Sequence, residues 1–123
     1  MSVKFYRCEE CGNIVELIND GGGELICCGA PMVELKAKTA DAANEKHVPV
    51  VEKQDGKLVA KVGSVEHPMT DAHFIQWIAA VTDTGVHRIN LTPSDKPTAV
   101  FCTLDVKEVY EYCNVHGLWK ATL

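Results

Sequence analysis

The chain has no long apolar run. Its most continuous apolar stretch, Trp77-Ile78-Ala79-Ala80-Val81, falls far short of the ~20 residues that a membrane-spanning helix needs. The opening Met1-Ser2-Val3-Lys4-Phe5-Tyr6-Arg7 contains no apolar core of signal-peptide length. Positive charge is also scarce. Twelve Lys and Arg stand against seventeen Asp and Glu, a net charge of −5 at pH 7, so the chain carries no general basic footprint for nucleic acid. An anionic substrate would have to be drawn by a local positive site. Low-complexity segments, blocks of like charge and internal repeats are missing as well. Together these absences lead us to expect a soluble, cytoplasmic protein that binds neither membrane nor nucleic acid.

Cysteine is what the chain does have, six in 123 residues. In a cytoplasmic protein thiols are kept reduced, which favours metal binding over disulfides. Four of the six lie in residues 1–36, a segment with few large apolar side chains. So short a segment rarely buries enough surface to fold without a metal or cross-links, and a metal would serve as its core. Cys8-Glu9-Glu10-Cys11-Gly12 is a knuckle in which two thiolates three apart reach one ion and the glycine permits the bend. Cys27 and Cys28 supply two adjacent thiols. Four thiolates close a tetrahedral shell around iron or zinc, and the geometry does not choose between the two. Neighbouring side chains point apart, so binding one ion with both Cys27 and Cys28 should distort that shell. C-type haem is excluded, because Gly12 stands where that motif needs histidine. A saturated site takes no substrate, which leaves a structural or an electron-transfer role.

The texture changes after the small, polar stretch 36–44, which reads as a linker plus loop. Asp55-Gly56 is a hairpin signal. Leu58, Ala60 and Val62 alternate with Lys57, Val59 and Lys61. Further strands are expected over 13–18, 24–27, 74–81, 86–91, 98–104 and 118–123. The segment 105–112 fits a short helix or a strand equally well. Short strands at ~8–12-residue spacing predict an antiparallel β-sandwich over residues 37–123, and the chain as a whole is expected to be all-β.

That second region holds five candidate ligands: His47, His67, His73, His116 and Cys113. Cys113-Asn114-Val115-His116-Gly117 is the most pointed of them, a thiolate and an imidazole three apart on a turn that Gly117 relaxes. Imidazoles suit iron, zinc and copper, and one thiolate adds electron density. Five protein ligands would leave an octahedral ion one open position, the arrangement for inner-sphere redox chemistry on a small molecule. Cys102, in the apolar run Ala99-Val100-Phe101-Cys102, is expected to be a buried inert thiol. His87 shares a face with Ile89 and Leu91 and is expected to be packed. Three classes of function stay open on these residues: a reductase, a pure electron carrier working through the four-cysteine centre, and a zinc-stabilised binding module.

Longer motifs narrow the choice. The first segment, with Cys8-x-x-Cys11 and Cys27-Cys28, resembles desulforedoxin. The rest carries Glu45-Lys46-His47-Val48-Pro49-Val50, Glu66-His67-Pro68-Met69, His73-Phe74-Ile75-Gln76-Trp77-Ile78 and Tyr112-Cys113-Asn114-Val115-His116-Gly117, and is similar to superoxide reductase. The whole chain resembles the desulfoferrodoxin family of two-iron superoxide reductases. That resemblance implies one iron held by Cys8, Cys11, Cys27 and Cys28. It implies a second iron in an immunoglobulin-like sandwich, with His47, His67, His73 and His116 around it and Cys113 axial. It further implies a homodimer, reduction by rubredoxin or a similar donor, and one-electron reduction of superoxide with two protons to hydrogen peroxide, without release of dioxygen. Lys46 would attract superoxide and order a water that delivers a proton, and Glu45 would fill the open position of the oxidised resting iron.

Overall fold

A computed structural model describes residues 3–39, 47–63, 67–103 and 105–123. Glu45, Lys46, Glu66 and Leu104 therefore lie outside the described residues. Among those described, every regular element is a β-strand, and no helix is long and apolar enough to cross a membrane. The chain divides into two compact units, Ser2–Lys36 and Ala37–Leu123.

The smaller unit has five short strands: β1 (Phe5–Arg7), β2 (Ile14–Glu16), β3 (Ile26–Cys27), β4 (Ala30–Pro31) and β5 (Val33–Glu34). They form a three-stranded sheet in the order β2-β1-β5 and a β3-β4 ribbon. Among the described residues of this unit only Phe5 and Cys8 are buried. The strands are shorter than the sequence pattern predicts because backbone conformation here follows the cysteine turns. Gly12, with φ of 81°, closes the knuckle by donating its N–H to the Cys8 carbonyl at 2.9 Å. Cys28 and Gly29 have φ of 53° and 75° and sit between the paired residues Cys27 and Ala30. Two positive φ values in succession mark a primed two-residue hairpin. Such a conformation is rare for a residue other than glycine, and Cys28 holds it.

The larger unit is a sandwich of antiparallel sheets. Its strands are β6 (Pro49–Gln54), β7 (Lys57–Val62), β8 (Ile75–Val81), β9 (Val86–Asn90), β10 (Thr98–Phe101), β11 (Glu108–Cys113) and β12 (Gly117–Thr122). One sheet runs β10-β7-β6 and the other β12-β11-β8-β9. The segment that fitted helix or strand equally is the strand β11. Asp55 and Gly56, both at positive φ, form the two-residue hairpin between Gln54 and Lys57, as the Asp-Gly pair predicts.

The core lies between the sheets. Leu58, Ala60, Val62, Ala99 and Phe101 come from one side; Ile75, Ile78, Ala80, Val109 and Cys113 come from the other. Burying each of the larger ones stabilises the fold by about 1.5–3 kcal/mol. In β10 the period of two sends Ala99 and Phe101 inward, so Cys102 faces outward and is exposed; the expectation of a buried thiol is corrected. His87 is exposed too, although it shares a face with Ile89. It pairs with Ala80 on an edge strand, next to the chain reversal at Val81↔Val86, where no further strand covers it. The stretch read as linker also contributes: Lys38 bridges in parallel to Trp119 of β12.

A register shift interrupts the pairing of β8 with β11. Tyr112 pairs with Trp77, but Cys113 pairs with Ile75, leaving Gln76 as the extra residue. This bulge lets Ile75 and Ile78 both point into the core, which strict alternation forbids.

Candidate metal centres

In the smaller unit, two turns bring four sulfurs together. Cys11 Sγ lies 3.6 Å from Cys27 Sγ, and Cys27 Sγ lies 4.0 Å from Cys28 Sγ. The positive φ of Cys28 is what swings its side chain beside that of Cys27, so adjacent residues serve one site. The Cys11 N–H points at Cys8 Sγ from 3.5 Å and is the leading cause that draws the Cys8 thiol down to about 7. The neighbouring sulfurs, Cys11 foremost, push Cys28 up to about 12. Four thiols at this spacing cannot all ionise unless a cation sits among them. Cys8 is buried, whereas Cys11 and Cys28 are exposed.

In the larger unit, four imidazoles close a ring. His47 meets His67 with ring centroids 4.8 Å apart, His67 meets His73 at 4.7 Å, His73 meets His116 at 5.0 Å, and His116 returns to His47 at 4.6 Å. Each pair is steeply inclined, between 64° and 82°. The rings thus turn their edges to a common centre. Cys113 joins them, its Sγ 3.8 Å from His116 Nδ1. One ligand atom from each of the five lies within 4.8 Å of every other.

Local bonds hold this arrangement. His67 Nδ1–H donates to the Pro68 carbonyl at 2.7 Å, which leaves the lone pair on Nε2. Burial is the main cause that lowers His67 to about 4, so at neutral pH the ring is uncharged and able to ligate. The Thr70 N–H donates to the His73 carbonyl at 2.9 Å, forming the turn that presents His73. Asn114 ties that turn to the one after β11: its Nδ2 donates to the Ala72 carbonyl at 3.0 Å and its Oδ1 accepts from Phe74 N–H at 2.9 Å. Burial pushes the Cys113 thiol up, while the N–H groups of His116 and Val115 pull the other way.

The family model described as Desulfoferrodoxin matches residues 39–122, and that described as Desulfoferrodoxin, N-terminal domain, matches residues 2–35. The chain belongs to the desulfoferrodoxin family. A desulfoferrodoxin of Syntrophotalea carbinolica is 52% identical over 120 residues, covering 97% of this chain and 95% of that protein. One of Nitratidesulfovibrio vulgaris is 50% identical over 119 residues, covering 96% and 94%. Among solved structures, the superoxide reductase of Treponema pallidum aligns with a TM-score of 0.83 at 30% identity over 98% of each chain.

The two clusters fit the two iron centres of a desulfoferrodoxin. Four soft thiolates suit an iron of the first kind. In the second, Nε2 of both His67 and His73 is buried without a hydrogen-bond partner among the described residues. A buried acceptor left unpaired is costly, and a cation at the shared centre satisfies both.

All nine metal-ligand candidates read from the sequence fall into these two clusters. Cys102 and His87 stay outside both. The sequence reading gave no role to Asn114, Thr70, Lys38 or Trp119, which support the second cluster. Asn114 and Trp119 lie inside or beside the Cys-x-x-His motif, and that proximity was the available signal. Thr70 and Lys38 carried none.

Proposed function

We propose that this protein is a superoxide reductase: it takes one electron and two protons to convert superoxide to hydrogen peroxide and releases no dioxygen. The observation that carries this reading is the ring of four imidazoles with one thiolate, whose two orphaned ring nitrogens face a shared centre. His47, His67, His73, His116 and Cys113 would hold an iron ion, which when bound supplies the electron to superoxide at the position that five protein ligands leave free.

The chain's own residues do the rest. Four imidazole ligands and a single thiolate would leave a ferrous ion a net positive charge, which draws an anion toward an acidic protein. Lys46 adds a cation next to His47 in sequence, and orders the water that passes a proton to the product. Glu45 would offer a carboxylate to the oxidised iron. Buried Cys113 and the bonds at His67 and His73 hold the ligands before substrate arrives, so little reorganisation is needed.

Residues 1–36 act as the four-cysteine iron domain and 37–123 as the catalytic domain. Exposed Cys11 and Cys28 support a role for the first centre in accepting electrons from a rubredoxin-class donor. The working form is a homodimer in the cytoplasm, a reading supported by the family resemblance and by six unpaired thiols.

The test combines metal analysis with stoichiometry. Protein reduced anaerobically and mixed with superoxide should give one hydrogen peroxide per superoxide consumed, with no dioxygen. Evolution of dioxygen in proportion to superoxide would mean dismutation and overturn the reading. Zinc in the first cluster and no iron in the second would do the same.

A further inference from the structure

Lys38 and Trp119 approach the second cluster together. Trp119 is buried, at 6% exposure, and its ring lies on His47 with centroids 4.7 Å apart and 17° between planes. Its Nε1–H donates to the His116 carbonyl at 3.1 Å. Lys38 Nζ donates to the same carbonyl at 3.2 Å and stands 5.0 Å from the centroid of the Trp119 ring, within the range of a cation–π contact. One carbonyl of one ligand thus takes two donors, and the indole between them rests on a second ligand. Lys38 is placed by its backbone: its N–H donates to the Leu118 carbonyl at 2.9 Å, and its own carbonyl accepts from Lys120 N–H at 2.9 Å. Neither bond involves the side chain.

We propose that Lys38 is a positioning residue of the second iron centre: its ammonium, held between the His116 carbonyl and the Trp119 face, sets the orientation of His116 and His47 and places a positive charge that favours the reduced state of the centre. This rests on the two-iron reading above. Lys38 is a different group from Lys46. Its side chain is exposed, and its ammonium donates to a ligand's main-chain carbonyl, a contact that does not depend on an arriving substrate. A unit charge several ångströms from a partly buried centre shifts the ratio of reduced to oxidised protein at fixed potential by about three- to tenfold.

The test uses the full-length, iron-loaded chain with Lys38→Met and Lys38→Arg. Lys38→Met keeps the stem that covers the indole and removes the charge. Redox titration of the second centre should show the reduced fraction lowered by about three- to tenfold in Lys38→Met and restored in Lys38→Arg. In metal-free protein, hydrogen exchange at the Trp119 indole N–H should be faster in Lys38→Met than in wild type, because the His116 carbonyl that accepts it is no longer held in place by the ammonium. An unchanged titration in Lys38→Met at full iron loading would overturn the charge role. Unchanged indole exchange would overturn the positioning role. A wild-type chain whose second cluster takes up no reducible metal would sink the iron reading itself; the indole exchange, read on metal-free protein, tests the positioning role independently of that reading.

Discussion

The ring nitrogens His47 Nε2 and His116 Nδ1 stand 3.0 Å apart across 69 positions of sequence. One residue precedes the first strand of the sandwich and the other follows β11, so this approach exists only because the two sheets close on each other. Both nitrogens belong to the ring that also holds the orphaned Nε2 atoms of His67 and His73.

Removing one member of that ring should release the second iron alone. In His67→Ala, iron analysis is expected to find the four-cysteine iron retained and the other lost, because a neutral, pre-oriented imidazole is replaced by a methyl group. Retention of both irons at wild-type occupancy would show that His67 is not a ligand.

The first centre should behave in the opposite way. Phe5 and Cys8 are the only buried residues among those described in the smaller unit, too few to hold it without an ion. Cys28→Ser, or a chelator that strips the first iron, is expected to leave residues 2–36 open to proteolysis while the sandwich stays protected. Equal protection with and without that metal would contradict the view of the ion as the core.

Lys46→Ala is expected to slow the reaction of reduced protein with superoxide by about tenfold at low salt and to flatten its dependence on ionic strength. Stopped-flow or pulse-radiolysis rates over a salt series check this. A rate equal to wild type at every ionic strength would remove Lys46 from the mechanism. Glu45→Ala should leave that rate intact and change anion binding to the oxidised protein.

Glu111 makes a stability prediction with a definite sign. It is 0% exposed, neither carboxylate oxygen has a partner among the described residues, and burial pushes it from its ordinary 4.5 up to about 9. Between those values the folded chain keeps a proton that the unfolded chain has lost, so stability falls as pH rises through that window. Glu111→Gln keeps the shape and removes the titration. At pH 7 it should stabilise metal-free protein by on the order of 1–3 kcal/mol and flatten the pH dependence of denaturant midpoints. An identical slope in both proteins would rule Glu111 out as its source.

Much of this was legible in the sequence because it depends on residue type and short spacing. The knuckle Cys8–Cys11, the pair Cys27–Cys28, the Cys113–His116 turn and the Asp55-Gly56 hairpin are local, and so is the alternation of Leu58, Ala60 and Val62. Chemistry and class follow from these: thiolates for one centre, imidazoles with a thiolate for the other, short strands for an all-β chain. Where local pattern met a competing long-range effect, it misled. Cys102 looked buried by the company of Ala99 and Phe101, but a strand's period of two turns it outward. His87 looked packed beside Ile89, but it sits on an edge strand with no further strand to cover it.

By itself, then, the sequence determined which atoms are available to bind metal, because ligand chemistry resides in side-chain type. Only the tertiary structure decided how those atoms meet. The positive φ of Cys28, the bulge at Gln76, the closure of His47 on His116, and the convergence of Lys38 and Trp119 on one carbonyl all arise from strand pairing and turn geometry. Such contacts join residues far apart in the chain, and no window of sequence contains the energy that selects them.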